Sequence, residues 1–197
     1  VIILSSHYLP CLEWFNTFLR AEQPVIDLHE HFVKQTYRNR TSILSANGRL
    51  ALTVPVRKTA HHMPMLSVEI ENDFRWQHQH WHAIKSAYSS APYFLYYHDH
   101  FERLYTQEFT HLTTFNNAVL EVCLKIMKTA KVPVSSSEYL VAQADDTDTR
   151  ALISPKKASG YEGKEYLQVF SEKFPFEKNL GILDLLFNHG PQWRQYL

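Results

Sequence analysis

The sequence predicts an α/β fold: a single domain with a small mixed sheet, an Asn-Gly β-hairpin and flanking helices. Three observations carry this prediction. Two short apolar runs, Val1-Ile2-Ile3-Leu4 and Val25-Ile26-Asp27-Leu28, bracket a helical pattern, which is the signature of a parallel strand pair joined by a crossover. Asn47-Gly48 separates the apolar runs Ile43-Leu44 and Leu50-Ala51-Leu52, the strongest short-range hairpin signal, because a type I′ turn needs positive φ at both central positions. Leu112, Phe115, Val119, Val122, Cys123, Ile126 and Met127 recur at helical spacing and form one apolar stripe.

The elements follow in order. Residues 1–4 read as a buried strand. Pro10 suits a first helical turn, and Leu12, Phe15, Phe18 and Leu19 extend that helix to about residue 21. Pro24 breaks it, and the second strand follows. Residues 36–45 and 49–56 form the hairpin, and residues 57–64 a basic loop. Leu66-Ser67-Val68-Glu69-Ile70 alternates apolar and polar as a half-buried strand does. Asp73 is placed to cap a helix running to about residue 89, on which Trp76, His80, Ile84 and Tyr88 share a face and His78 and His82 share another. Asp99 is read as the cap of a short helix. The long helix spans residues 110–130. Residues 135–166 are polar and loop-rich, with one short strand expected at Ala151-Leu152-Ile153. Residues 166–170 and 180–187 close the chain as a helical region ended by Gly190-Pro191.

Composition narrows the function classes. Apolar residues make up 45% of the 197, enough for a full core, so the chain is read as one domain over residues 1–197. Twenty basic residues balance twenty acidic ones, so no global field draws the protein to nucleic acid or to an anionic membrane. Two cysteines make neither a disulfide framework nor a zinc pattern, which fits a reducing cytoplasm. The first four residues lack a basic n-region, and no apolar run is long enough for a bilayer span. With five glycines there is no glycine-rich phosphate cradle, and no cofactor is expected.

Candidate chemistry centres on the run from Lys34 to Arg40. Arg guanidinium grips carboxylates and phosphates bidentately. In a strand, Arg38 and Arg40 would point to one side, beside Lys34, and Asn39 to the other. Residues 34–58 contain six Lys or Arg and no acidic residue, so this reads either as an anion grip or as a solvated strand edge. His80 is either a core histidine with a satisfied hydrogen bond or a general base. His78 with His82, or His98 with Asp99 and His100, lack a third ligand by spacing, so no metal is expected. Cys11, in a first helical turn, reads as a small packed side chain rather than a nucleophile, and Cys123 as core. The aromatic run Tyr93-Phe94-Leu95-Tyr96-Tyr97 reads as a packed plug.

Taken in order, Tyr8-Leu9-Pro10, Lys34-Gln35-Thr36-Tyr37-Arg38-Asn39-Arg40, Asn47-Gly48, Leu52-Thr53-Val54-Pro55-Val56, then Trp76, His80, Ile84, Tyr88 and Ala91-Pro92-Tyr93-Phe94 resemble the bacterial WbqC-like family, most strongly over residues 1–130. The chain departs from the fuller pattern at Leu4-Ser5-Ser6, where many relatives carry His-Gln-Pro, and in having Asp27, His29 and Glu30 offset from an expected aspartate pair. The resemblance implies a cytoplasmic group transferase, aminoacyl or glycyl in type, of surface-polysaccharide (O-antigen) biosynthesis. Its alternative is a noncatalytic module that binds a sugar nucleotide or a pathway enzyme. On this view Lys34, Arg38 and Arg40 hold an anionic substrate, a sugar nucleotide or acyl donor, and Asn39 and Trp76 complete the binding set. His80 is the general base and Tyr37 a proton relay, with His80, Arg38 and Arg40 expected around one cleft. The sequence leaves the oligomeric state open.

Overall fold

The computed structural model describes residues 1–197. The chain begins with β1 (Ile2–Ser5), α1 (Leu12–Arg20) and β2 (Pro24–Asp27). β1 and β2 pair in parallel, from Ile2 opposite Pro24 to Ser5 opposite Asp27. α1 buries Leu12, Trp14, Phe15 and Phe18, and the Trp14 indole N–H donates to the Ser5 carbonyl at 2.9 Å, locking helix to strand.

Next comes the hairpin, β3 (Arg40–Ser45) and β4 (Gly48–Thr53), an antiparallel pair that forms its own two-stranded sheet. Parallel and antiparallel pairing, both expected, are thus divided between two sheets. Gly48 has φ +97° whereas Asn47 has no positive φ, so the turn is not the type I′ form; a left-handed glycine closes it after Ala46-Asn47. The first strand also starts later than expected. Residues 34–39 are turns, held by bonds such as Thr36 Oγ1 to the Val33 carbonyl. Gly181 docks the hairpin onto the rest of the molecule: its N–H donates to the Ser42 carbonyl, and a Cβ there would sit 3.2 Å from the Leu9 carbonyl.

The helices α2 (Trp76–Tyr88), α3 (Phe94–Tyr105), α4 (Leu112–Met127) and α5 (Leu183–His189) follow, with a 3₁₀ segment from Gly190 to Gln195. Trp76, His80, Ile84 and Tyr88 are buried on one face of α2, and His78 and His82 are exposed on another. α3 starts five residues before Asp99, because the break at Ala91-Pro92 restarts the helix at once. Residues 66–70 form no continuous strand. Met65 and Leu66 donate their N–H groups to the Glu30 and Leu28 carbonyls, which turns the segment into 3₁₀ geometry at Met65–Ser67.

The loop-rich part supplies two strands of two residues each. β5 (Val134–Ser135) adds to β2 and β6 (Thr147–Asp148) to β1, both in parallel, giving the order β5-β2-β1-β6. Residues 151–153, expected as a strand, form a turn instead, with Leu152 N–H donating to the Thr149 carbonyl. Residues 166–170, expected as helical, hold no helix. One cluster of 42 buried residues runs from Leu4 to Trp193, so both sheets and all five helices share a core. No helix is long and apolar enough to cross a membrane.

Candidate functional site

In an open parallel sheet, ligands settle beyond the carboxyl ends of the strands, where the strand order reverses. Here the chain moves from β1 to β2 to β5, then returns past β1 to β6, so the reversal lies at β1 and β6. The polar residues that end or follow these strands are Ser5, Asp27, Glu30, Asp148 and Arg150. They border or support a cleft of about 440 Å³ lined by residues from 30–38 and 139–157.

Two ion-paired guanidinium groups build the floor. Arg38, 4% exposed, donates from Nε to Glu30 Oε1 at 2.9 Å and from Nη2 to Glu30 Oε2 at 2.5 Å. Its Nη2 also reaches Ser5 Oγ at 3.0 Å, and Nη1 reaches Thr36 Oγ1 at 3.3 Å. Burial raises the Glu30 carboxyl above its ordinary range while Arg38 pulls it back. Arg150 donates to Asp27 Oδ2 at 2.5 Å and forks onto both Asp148 oxygens at 2.9 and 2.6 Å. These bonds hold the Asp148 carboxyl below its usual range. Asp27, fully buried, also accepts from Ser136 Oγ and the His29 N–H, each at 2.9 Å. The Arg150 guanidinium lies 5.0 Å from the centre of the Tyr139 ring, which gives the wall an aromatic shelf.

Glu30 saturates Arg38, and Asp148 with the buried Asp27 saturates Arg150, so the floor leaves neither guanidinium free and sets three carboxylates against two cations. The cations without a carboxylate partner sit at the rim. Lys156 and Lys157 line the cleft, and neither takes part in an ion pair. Lys156 Nζ donates to the Lys34 carbonyl at 3.2 Å, which keeps its ammonium over the opening. Such a site offers hydrogen-bonding edges below and two point charges above, suited to a polar molecule with an anionic end.

The sequence-predicted residues do not share this cleft. Arg38 alone among them lines it. Arg40 lies on β3, where its Nε donates to Thr53 Oγ1 at 3.1 Å. The same-side geometry of Arg38 and Arg40 required a strand, and residues 34–39 turn instead. Lys34 is exposed and outside the cleft lining, and its backbone carbonyl accepts from Lys156 Nζ. Asn39 is buried, with Nδ2 donating to the Val54 carbonyl at 2.9 Å. Tyr37 packs against the buried His7 at 5.6 Å between ring centres, and burial pushes its hydroxyl up to about 12.

His80 and Trp76 belong to the core. The Tyr8 hydroxyl lies 2.9 Å from His80 Nδ1 and 2.6 Å from the Tyr105 hydroxyl, and Trp76 sits edge-on to His80 at 5.2 Å. Burial pulls the His80 imidazole down to about 4, so it is neutral near pH 7. The expected single cleft around His80, Arg38 and Arg40 is therefore not what the fold builds.

Sequence reading passed over Arg150, Tyr139, Lys156 and Lys157, all in the loop-rich stretch. The signal that reaches part of this set is positional: Asp27 and Glu30 end and follow a strand predicted to be parallel. On α3, His98, Asp99 and Glu102 bring ligand atoms within 4.8 Å of one another, but they lie away from the cleft lining.

Compared with known proteins, residues 5–166 match the model of the WbqC-like protein family. The Uncharacterized protein Rv1507c of Mycobacterium tuberculosis (strain ATCC 25618 / H37Rv) is 25% identical over 223 residues, covering 100% of this chain and 96% of that protein. No solved structure matches.

Proposed function

Since the chain belongs to the WbqC-like protein family, we propose that it is a group transferase of bacterial surface-polysaccharide biosynthesis, aminoacyl or glycyl in type, working in the cytoplasm as one domain over residues 1–197. The observation that carries this reading is the cleft at the strand ends, with its ion-paired floor and its unpaired Lys156 and Lys157. The two ammoniums hold the anionic end of a sugar nucleotide or acyl donor. The Tyr139 face supports a sugar ring, and the carboxylates of Glu30 and Asp148 take its hydroxyl protons in hydrogen bonds. Arg38 keeps its place in the site, as a wall braced by Glu30 rather than as a free grip. His80, Trp76, Tyr37 and Asn39 position the structure behind the wall.

The second reading is the noncatalytic module. It is favoured by the saturation of both floor guanidinium groups and by the burial of His80 in the core, away from the cleft.

Calorimetric titration with nucleoside diphosphates, sugar nucleotides and inorganic phosphate at two salt concentrations tests both. Binding should weaken as salt screens the lysines, over about 8 Å at physiological ionic strength. Replacing both Lys156 and Lys157 by Ala should weaken it at least tenfold. Mass spectrometry of a bound sugar nucleotide mixed with an activated amino acid then separates transferase from module: a new adduct marks the first, its absence with binding intact the second. If no anion binds, or the double variant binds as wild type does, the cleft is not the site.

A further inference from the structure

Two histidines far apart in sequence meet at the mouth of the cleft. His31 Nδ1 and His62 Nδ1 are 3.1 Å apart. The backbone holds them there: Phe32 N–H donates to the Met63 carbonyl at 2.8 Å, and His31 bridges Pro64 in antiparallel fashion. His61 joins them, its ring 3.8 Å from that of His62 and nearly perpendicular. All three side chains are exposed, and His31 lines the cleft. His62 also has φ +55°, a left-handed conformation that costs a histidine energy unless its surroundings fix it.

The cluster lacks what usually accompanies exposed imidazoles, a carboxylate. None of the three histidines makes an ion pair; the one such pair in the molecule is His98 with Asp99 on α3. Neutral imidazole nitrogen is a ligand for zinc, copper and nickel ions. Two nitrogens on one tetrahedral zinc, each at about 2.0–2.1 Å, stand roughly 3.3 Å apart. The pair at 3.1 Å is already within a few tenths of that spacing.

We propose that His31, His62 and His61 form a binding site for a divalent transition metal of the zinc class at the mouth of the cleft, with a coordination position left for an oxygen ligand. His31 and His62, whose Nδ1 atoms now share a hydrogen bond, give that bond up to the metal, and His61, exposed and free to change rotamer, supplies the third nitrogen. No spacing rule reveals the site, because one ligand follows β2 and the other two precede the Met65–Ser67 turn. Because His31 lines the same cleft as Lys156 and Lys157, a metal held there adds a Lewis acid to an anion-binding cleft, the partner that a phosphate or carboxylate oxygen would take.

The test reads the metal directly. Chelator-treated protein is titrated with Zn²⁺ against a chromophoric chelator, and with Co²⁺ followed by visible absorption. One equivalent should bind at micromolar concentration or tighter, and Co²⁺ should give tetrahedral ligand-field bands. His31→Ala and His62→Ala should each weaken binding at least tenfold, and His61→Ala should weaken it too. A variant with both His78 and His82 changed to Ala, on the exposed face of α2, should bind as wild type does. Thermal unfolding of each variant checks that the fold persists. The proposal is overturned if no equivalent binds, if His31→Ala and His62→Ala keep wild-type affinity, or if the metal leaves only when His78 and His82 are replaced. Anion binding is measured on metal-free protein, so failure here and failure of the transferase reading remain distinct.

Discussion

Asp184, in the first turn of α5, is a carboxyl that the fold buries without a countercharge. It is fully buried, and its Oδ2 accepts from Tyr166 Oη and Gln168 Nε2, each at 2.8 Å. Two neutral donors do not offset the loss of water, and the carboxyl is raised from 3.8 to about 6. The folded state therefore holds this proton up to about pH 6, whereas the unfolded chain releases it near 3.8. Across that window the native state binds more protons, so this group's contribution falls as pH rises and is fully lost above about 6. The penalty at pH 7 is on the order of 3 kcal/mol. His80 works the other way: pulled down to about 4, it lowers stability as pH falls from 6.5 towards 4. The two slopes oppose each other, so the wild-type curve alone reveals neither. Asp184→Asn isolates one. The amide oxygen keeps both donors, and the amide nitrogen replaces Oδ1, which is buried without a partner, as is the Tyr88 hydroxyl. Urea unfolding at pH 4 and pH 7.5 should show the Asp184→Asn variant gaining on wild type by about 1–3 kcal/mol between the two. A difference that does not change with pH would mean that Asp184 is not held protonated by burial.

At the scale of elements, the hairpin separates what a motif promises from what a backbone does. Asn-Gly predicts two left-handed residues, yet only Gly48 has positive φ, and it pairs with Ser45 as the closing residue of the ladder. A glycine in that conformation beginning a strand tightens the local twist that the hairpin needs. Space does not forbid a side chain, since the nearest neighbour of a Cβ would be the Phe174 ring at 3.9 Å. The cost of Gly48→Val is thus conformational, roughly 1–3 kcal/mol for a β-branched residue forced to φ near +97°. Asn47→Ala should change little, because Asn47 is exposed and lacks positive φ. Denaturant midpoints of the two variants check this. Equal losses at both positions would restore the type I′ turn.

For the molecule as a whole, legibility tracks length. The faces of α1, α2 and α4 follow from periodicity, because nine to sixteen residues repeat the pattern often enough to show it. The parallel pair follows from two apolar runs around a helix. β5 and β6 were illegible, being two residues each with no alternation; they exist because β2 and β1 offer unpaired edges. The site shared that fate. Arg38 was legible as a cation, but its partner Glu30 meets it only through the intervening turns. Arg150 meets Asp27 only because β6 closes beside β1. This last contact joins the ends of β2 and β6 across β1, with Asp27 fully buried and Arg150 also forked onto Asp148. Arg150→Ala leaves Asp27 buried without its countercharge, although Ser136 Oγ and two backbone N–H groups still reach it. Breaking such a pair costs about 3–5 kcal/mol, and the surviving bonds put this case at the lower end. The loss should be local, because β6 has few other ties: Thr147 N–H to the Val1 carbonyl, and Thr149 N–H and Oγ1 to the Ile3 carbonyl. Amide exchange should therefore quicken at Ser136, Thr147 and Thr149 in Arg150→Ala, while the β3–β4 amides keep their protection. Arg150→Lys retains the charge but not the fork, and should fall between the two. Exchange that quickens equally in the hairpin and at β6 would mean that Arg150 supports the whole fold rather than one wall of the cleft.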